Sequence, residues 1–208
     1  MNTILHLIRH AESLANKDNL SSDEITQLSE RGIEQAKKLS KDLIFSDLDY
    51  IYTSPLVRAV QTSELISSNN PHLKIAQTDL IKEKKDPSSF AMKKKEEIPW
   101  DIIKANRHDP DWCFEDGESF NDVKDRIVKV LNMVEKLPSG SKVLLVTHGS
   151  FIKHFASYIL LGERFSPEFF HSISDRMETQ NTGITTFEFK QKYYETKPSW
   201  YLVSWMSK

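Results

Sequence analysis

Short apolar runs rich in β-branched residues alternate along the chain with segments of helical period, the pattern of an α/β layered fold. TILHLI at residues 3–8, DYIYTS at 49–54, KIAQTDLI at 74–81 and KVLLVTH at 142–148 are predicted as strands, and TGITTFEF and WYLVSW supply two more near the C-terminus. KVLLVTH is the clearest buried strand, bounded by PSGS before it and Gly149 after it. Between the strands, residues 28–43 read as a helix. Ser29 is its N-cap, Glu30 lies in its first turn, and Ile33, Ala36, Leu39 and Leu43 share a face. Residues 54–66 read as another, with Ser54 as N-cap and Pro55 at the first helical position. From Glu118 onward, Val123, Ile127, Val130, Leu131, Val134 and Leu137 mark an amphipathic helix, and a further helix covers 150–161.

Residues 84–116 break this rhythm with lysine runs, Pro87, Pro99 and Pro110, and are expected to form a partly helical, lid-like insertion. No repeat or low-complexity linker marks a boundary, so the expectation is one domain over residues 1–208. The fold class predicted from this pattern is α/β.

Composition narrows the partners. The net charge of −2 gives no bulk positive field, so neither nucleic acid nor an anionic membrane surface is expected as a partner. The single cysteine, Cys113, cannot pair within the chain. The apolar opening is interrupted by His6 and stopped by Arg9, which argues against a signal peptide. No apolar stretch approaches the roughly 20 residues needed to span a bilayer. A soluble cytoplasmic protein, monomer or homodimer, is the expectation.

The chemistry collects at strand ends. The first four strands are followed by Arg9 and His10, by Ser54 with Arg58 one helical turn on, by Glu83, and by His148. In open α/β sheets, ligands bind beyond the carboxyl ends of parallel strands. Two guanidiniums and two imidazoles there form a compact cationic pocket, and the arginine fork matches the oxygens of a phosphate group. A neutral imidazole is a competent nucleophile toward phosphorus, and a carboxylic acid can protonate a leaving alcohol. This scheme needs no metal or other cofactor, and the chain carries neither a P-loop signature nor a cysteine-rich metal motif.

LIRHAES, LSERGIEQA, TSPLVRAVQT, DLIKE, EDGESFNDVKDRI and VLLVTHGS, in this order, resemble the histidine phosphatase superfamily, the phosphoglycerate mutase-like proteins, across nearly the whole chain. The resemblance implies an α/β fold that is a three-layer α/β/α sandwich with a central, mostly parallel sheet, and a phosphomonoesterase acting on a small phosphorylated metabolite or a phosphoprotein. In it His10 is the nucleophile, Arg9 and Arg58 hold phosphoryl oxygens, and His148 contacts the same group. Glu83 matches the proton donor of the branch whose second histidine motif carries no acid, as in HGSF here, while Asn16 and Gly149 match phosphate-pocket positions. The chain departs from the family pattern at Ala11, where glycine is usual, around Leu20 to Ser22, where a Gln-Gly pair is common, and at Ser150, where the mutases usually carry asparagine. Together with the missing glycine- and tryptophan-containing stretch of the mutases, Ser150 favours a phosphatase over a mutase, while the intact set of Arg9, His10, Arg58 and His148 speaks against a non-catalytic binder.

Other polar and aromatic residues have plainer readings. Glu12 is expected to order its loop, and Glu118 to favour a helix N-terminus. KKKEE is expected to be a solvated helix face, with Glu96 or Glu97 as an alternative acid, and Trp200 and Trp205 are expected to pack. His6, four residues before His10, lies on a strand and so invites no metal reading.

Overall fold

The computed structural model describes residues 2–68 and 72–207. Among them, β1 (Thr3–Arg9), β2 (Tyr50–Thr53), β3 (Ile75–Gln77), β4 (Lys142–Thr147), β5 (Ile184–Lys190) and β6 (Ser199–Ser207) form one sheet in the order β3-β2-β4-β1-β5-β6. The first four strands of that order run parallel, and β5 and β6 join through antiparallel pairings. The helices are α1 (Leu14–Lys17), α2 (Glu30–Leu39), α3 (Val57–Ser67), α4 (Trp100–Asn106), α5 (Phe120–Glu135), α6 (Gly149–Leu161) and α7 (Pro167–Ser174). The protein thus has the predicted α/β architecture, a mostly parallel sheet flanked by helices.

Strand alternation builds two cores. Leu5 and Leu7 of β1 and Val143 and Leu145 of β4 face Val123, Ile127 and Val130 of α5 and Phe151 and Phe155 of α6. Ile8, Leu144 and Val146 point the other way, against Ala59 and Ile66 of α3. Both faces of β1 and β4 are therefore apolar, as a doubly covered sheet requires. Each such side chain contributes roughly 1.5–3 kcal/mol when fully buried.

Several boundaries differ from the sequence reading. The helix predicted to Leu43 ends at Leu39, where the Ser40 hydroxyl turns back onto the Lys37 carbonyl at 2.8 Å. Strand 74–81 shrinks to three residues, because the Thr78 hydroxyl caps a tight turn over Asp79–Ile81 by accepting from the Leu80 N–H. Helix α7 is an element beyond those expected from the pattern, and Ser166 as N-cap with Pro167 after it is its start signal. The insertion carries α4 and two single tight turns, Ser88–Phe90 and Lys95–Glu97, so KKKEE is solvent-exposed without being a helix face. Reciprocal backbone bonds between Ser21 and the Met92–Lys93 pair, at 2.9 and 3.0 Å, fasten the insertion to the loop after β1.

The order of strands positions the site. β4 lies between β1 and β2, pairing Thr147 with Arg9 and Val146 with Thr53. The residues that follow these three strands emerge side by side at a topological switch point.

Candidate active site

His10 directly follows β1, and its N–H extends the ladder by donating to the Thr147 carbonyl at 2.9 Å. Its Nδ1 lies 2.7 Å from the Ala11 carbonyl oxygen. A carbonyl only accepts, so the network assigns the ring proton to Nδ1 and the lone pair to Nε2. The Arg58 Nε–H donates to that Nε2 at 3.3 Å. Burial, then the charges of Arg58 and Arg9, hold the His10 pKa well below 6.5, which keeps the ring neutral at pH 7.

Arg58 is itself buried, and its Nη1 donates to the Asp23 carbonyl at 2.7 Å. Arg9 donates from Nη1 to the Thr179 carbonyl at 2.7 Å, while its buried Nε has no partner among the described residues. His148 follows β4, fully buried, with its ring centroid 5.1 Å from that of His10. Its Nε2 lies 2.8 Å from the Ser54 hydroxyl, and its Nδ1 is likewise unpartnered. Burial first, then Arg58, places its pKa well below 6.5.

Ser54 therefore has a different role from the N-cap predicted for it. Helix α3 begins only at Val57, with Leu56 at the cap position and no side-chain cap. The Ser54 hydroxyl accepts from the Leu56 N–H at 3.3 Å and faces His148.

Glu83 sits beyond the Asp79–Ile81 turn, which is tied to β4 by the Thr147 hydroxyl donating to the Ile81 carbonyl at 2.6 Å. The Glu83 carboxylate accepts from the N–H groups of Lys84 (2.9 Å), Ser150 (3.1 Å) and Phe151 (2.9 Å). Two of those donors belong to the first turn of α6, an orphan-donor end that suits an acid. Gly149 opens the same helix. A β-carbon there would come within 2.7 Å of the Thr179 hydroxyl and 3.4 Å of Arg9 Nε, so its glycine leaves room for the arginine.

Arg9, His10, Asn16, Arg58 and Glu83 line one cavity of about 660 Å³, whereas His148 and Gly149 lie off its wall. Asn16 Oδ1 accepts from Ser13 N–H and from Asn181 Nδ2, which also donates to the His10 carbonyl at 2.9 Å. Asn181 and Thr179 reach the site from the stretch before β5, and no motif in the sequence flagged them. The outer cavity is walled by Leu20, Ile98 and Trp100 together with Lys84, Asp86 and Lys95. Neither Glu96 nor Glu97 lines it. Asp86 lines the cavity as a solvent-exposed residue. Desolvation by the surrounding protein, then the charge of Glu83, raises its carboxyl to about 6.

The flanking motifs are structural. Glu12 accepts from the Ser29 hydroxyl at 2.8 Å and pairs with Arg31, and its N–H donates to Gln35, all on α2 or its cap. The Ala11 methyl is fully buried beside Leu28 and Ala36, so the residue replacing the usual glycine fills a small core cluster. Glu118 precedes the cap Ser119 rather than opening α5, and it forms a two-bond ion pair with Arg126. His6 Nδ1 lies 3.0 Å from the Thr186 hydroxyl on the neighbouring strand.

Residues 5–199 match the model of the histidine phosphatase superfamily (branch 1), and the chain belongs to that family. Over 195 residues it is 26% identical to the protein named "Probable phosphoglycerate mutase" in Cronobacter sakazakii, covering 90% of this chain and 85% of that one. It is 33% identical over 150 residues to phosphoserine phosphatase 1 of Hydrogenobacter thermophilus, covering 69% and 70% of the two chains. Among solved structures, the phosphoserine phosphatase of Entamoeba histolytica in complex with phosphoserine superposes with a TM-score of 0.76 at 26% identity, covering 99% of this chain and 97% of that one. Among the described residues, no helix is long and apolar enough to cross a membrane.

Proposed function

We propose that this protein is a phosphatase that hydrolyses a small phosphorylated metabolite through a phosphohistidine on His10. The observation that carries the reading is the His10 ring: neutral, with its proton held by the Ala11 carbonyl and its Nε2 lone pair set beside the Arg58 guanidinium. Nε2 attacks phosphorus as the bond to the leaving oxygen breaks, and Glu83 in its acid form gives that oxygen its proton. Arg9 and Arg58 bind the equatorial oxygens. Water then attacks the phosphorus, the P–N bond breaks, and the water proton returns to Glu83. His148 donates to the phosphoryl group from Nδ1, because the Ser54 hydroxyl, already accepting from Leu56, can give its own proton to Nε2.

The cavity greatly exceeds a phosphate ion and mixes apolar, cationic and acidic walls, which suits a metabolite-sized leaving group. Phosphoserine belongs in any first substrate panel because relatives bear that name. Return of the phosphoryl group to an alcohol instead of water would make a mutase, the activity in another relative's name.

The test is hydrolysis of p-nitrophenyl phosphate and a panel of metabolite esters with a chelator present, by wild type and His10→Ala. Turnover is expected to persist with chelator and to vanish with His10→Ala while the circular dichroism stays native, and wild type should trap an alkali-stable, acid-labile phosphoprotein. Normal activity in His10→Ala would refute the mechanism. Isomerisation stimulated by a doubly phosphorylated primer, without hydrolysis, would identify a mutase.

A further inference from the structure

A third arginine approaches the cavity, and its hydrogen bonds separate it from the phosphate-binding pair. Arg126 of α5 donates from Nε to Glu118 Oε1 (2.9 Å) and from Nη2 to Glu118 Oε2 (2.7 Å). Its Nη1 donates to the carbonyls of Leu80 and Lys82, each at 2.9 Å, and Nη2 also to that of Glu83 at 3.4 Å. A guanidinium has five N–H donors, and all five are engaged here. Arg9 Nε, by contrast, is buried without a partner. Although Arg126 lines the cavity, it has no donor left for a ligand, so its charge acts on the protein.

The object it grips is the segment that carries Glu83. The carbonyls of Leu80, Lys82 and Glu83 point at Arg126, and the Lys85 N–H donates to Glu118 Oε2 at 2.8 Å. The pair therefore holds the backbone on both sides of Glu83. The Lys85 carbonyl accepts from the Glu118 N–H at 2.9 Å, closing the clamp. The guanidinium carbon also lies 5.2 Å from the centre of the Phe151 ring, and Phe151 gives its N–H to the Glu83 carboxylate. Both partners are largely shielded, with side-chain exposures of 13% and 21%, where a forked, charge-assisted pair holds its geometry best.

We infer that Arg126 and Glu118 are positioning residues for the proton donor, an ion pair whose task is to aim the Glu83 carboxyl at the leaving oxygen. The inference rests on the phosphatase reading above. It also gives a purpose to the EDGESFNDVKDRI stretch, which places the two partners eight residues apart, on the lead-in and second turn of α5.

The experiment compares Arg126→Ala, Arg126→Lys, Glu118→Gln and Glu83→Gln, singly and with Arg126→Ala and Glu83→Gln combined. Each is assayed on p-nitrophenyl phosphate, whose leaving group needs little protonation, and on an alkyl ester such as phosphoserine or glycerol 2-phosphate. Inhibition by inorganic phosphate is measured alongside. Arg126→Ala should lower kcat on the alkyl ester roughly tenfold more than on the aryl ester, with phosphate inhibition changed less than about twofold. Arg126→Lys, which keeps the charge but not the fork, should resemble the alanine variant, and Glu118→Gln should fall between it and wild type. In the Glu83→Gln background, Arg126→Ala should cost little more, because the group it aims is gone. A roughly tenfold loss of phosphate inhibition would overturn the inference in favour of a substrate clamp, as would full additivity of the two substitutions in favour of a purely structural pair. If Arg126→Ala does not fold, the same leaving-group ratio is read from Glu118→Gln, and an unchanged ratio there overturns the inference. A Glu83→Gln enzyme that loses both esters alike would refute the proton-donor reading itself, a result distinguishable from failure of the clamp because it appears with Arg126 intact.

Discussion

At the scale of single residues, the open chemical question is which carboxyl gives the leaving oxygen its proton. Glu83 faces three backbone N–H donors, and Asp86 stands nearer the mouth with its carboxyl raised toward about 6. The Glu83 assignment predicts that Glu83→Gln slows alkyl esters by about 100-fold or more while sparing p-nitrophenyl phosphate, whereas Asp86→Asn changes both by less than about threefold. Steady-state kcat on the two esters checks this, and a reversed pattern would move the acid to Asp86. The nucleophile proposed here, His10, makes its own prediction. Because burial and two guanidiniums lower the His10 pKa, the acid limb of kcat/KM assigned to His10 should lie well below 6.5, and a limb at 6.5 or above would contradict a neutral, desolvated ring. Arg9, His10 and Arg58 were legible in the sequence because they end, directly follow or lie a turn beyond a readable strand, whereas Glu83 stands well past the short β3, beyond the Asp79–Ile81 turn. Ser54 was misread because the Ser-Pro signal for a helix start is local, whereas the hydroxyl's partner, His148, lies 94 residues away. Asn181 and Thr179 were illegible for the same reason: their contacts to His10, Asn16 and Arg9 span more than 160 residues.

At the scale of elements, the loop after β1 is shaped by α2. The Glu12 carbonyl accepts from the Ser29 N–H at 2.9 Å, and a β-carbon on Gly32 would lie 2.0 Å from that same carbonyl oxygen. The glycine in LSERG is therefore required by close approach of helix to loop, which a hydrophobic pattern cannot reveal. Gly32→Ala should displace the loop that carries His10. We expect a loss of roughly 1–3 kcal/mol in urea unfolding and a fall in kcat greater than the stability loss alone accounts for. An alanine variant with wild-type stability and turnover would show that α2 can shift without moving the loop. Strands β1, β2 and β4 and helices α5 and α6 were legible because apolar period and burial agree along them. Residues 74–81 and the insertion were less so, since Thr78 and the tight turns of 88–97 answer to local side-chain caps and to bonds with Ser21 rather than to any period.

At the scale of the whole molecule, histidine burial is the feature that reaches beyond the site. His6, His10, His148 and His154 are all buried, and each pKa is lowered, His6 to about 4 and His154 to about 3, with desolvation the leading cause in every case. His6 sits on β1 against Thr186, and His154 stacks on Phe170 of α7 with ring centroids 3.9 Å apart, so the neutral rings serve as packing surface on both sides of the sheet. The linkage has a definite sign. Above pH 6.5 these rings are neutral in both folded and unfolded chains, and stability does not depend on them. Below 6.5 the unfolded chain takes up protons that the folded one refuses, so stability falls with pH until the folded pKa is reached. At about 1.4 kcal/mol per unit, the His6 shift alone corresponds to a loss of roughly 3 kcal/mol between pH 6.5 and 4. Urea midpoints across that range should therefore drop steeply, and His6→Gln should flatten the dependence by about one proton even if it lowers stability at pH 7. A slope unchanged by that substitution would mean that His6 accepts its proton within the folded sheet. Phosphate bound to the guanidiniums of Arg9 and Arg58 should raise stability throughout, without changing the His6 share of the slope. The acid limit of the fold and the acid limit of the proposed nucleophile thus have the same origin, burial of neutral imidazole, but separate readouts: one follows unfolding and the other turnover.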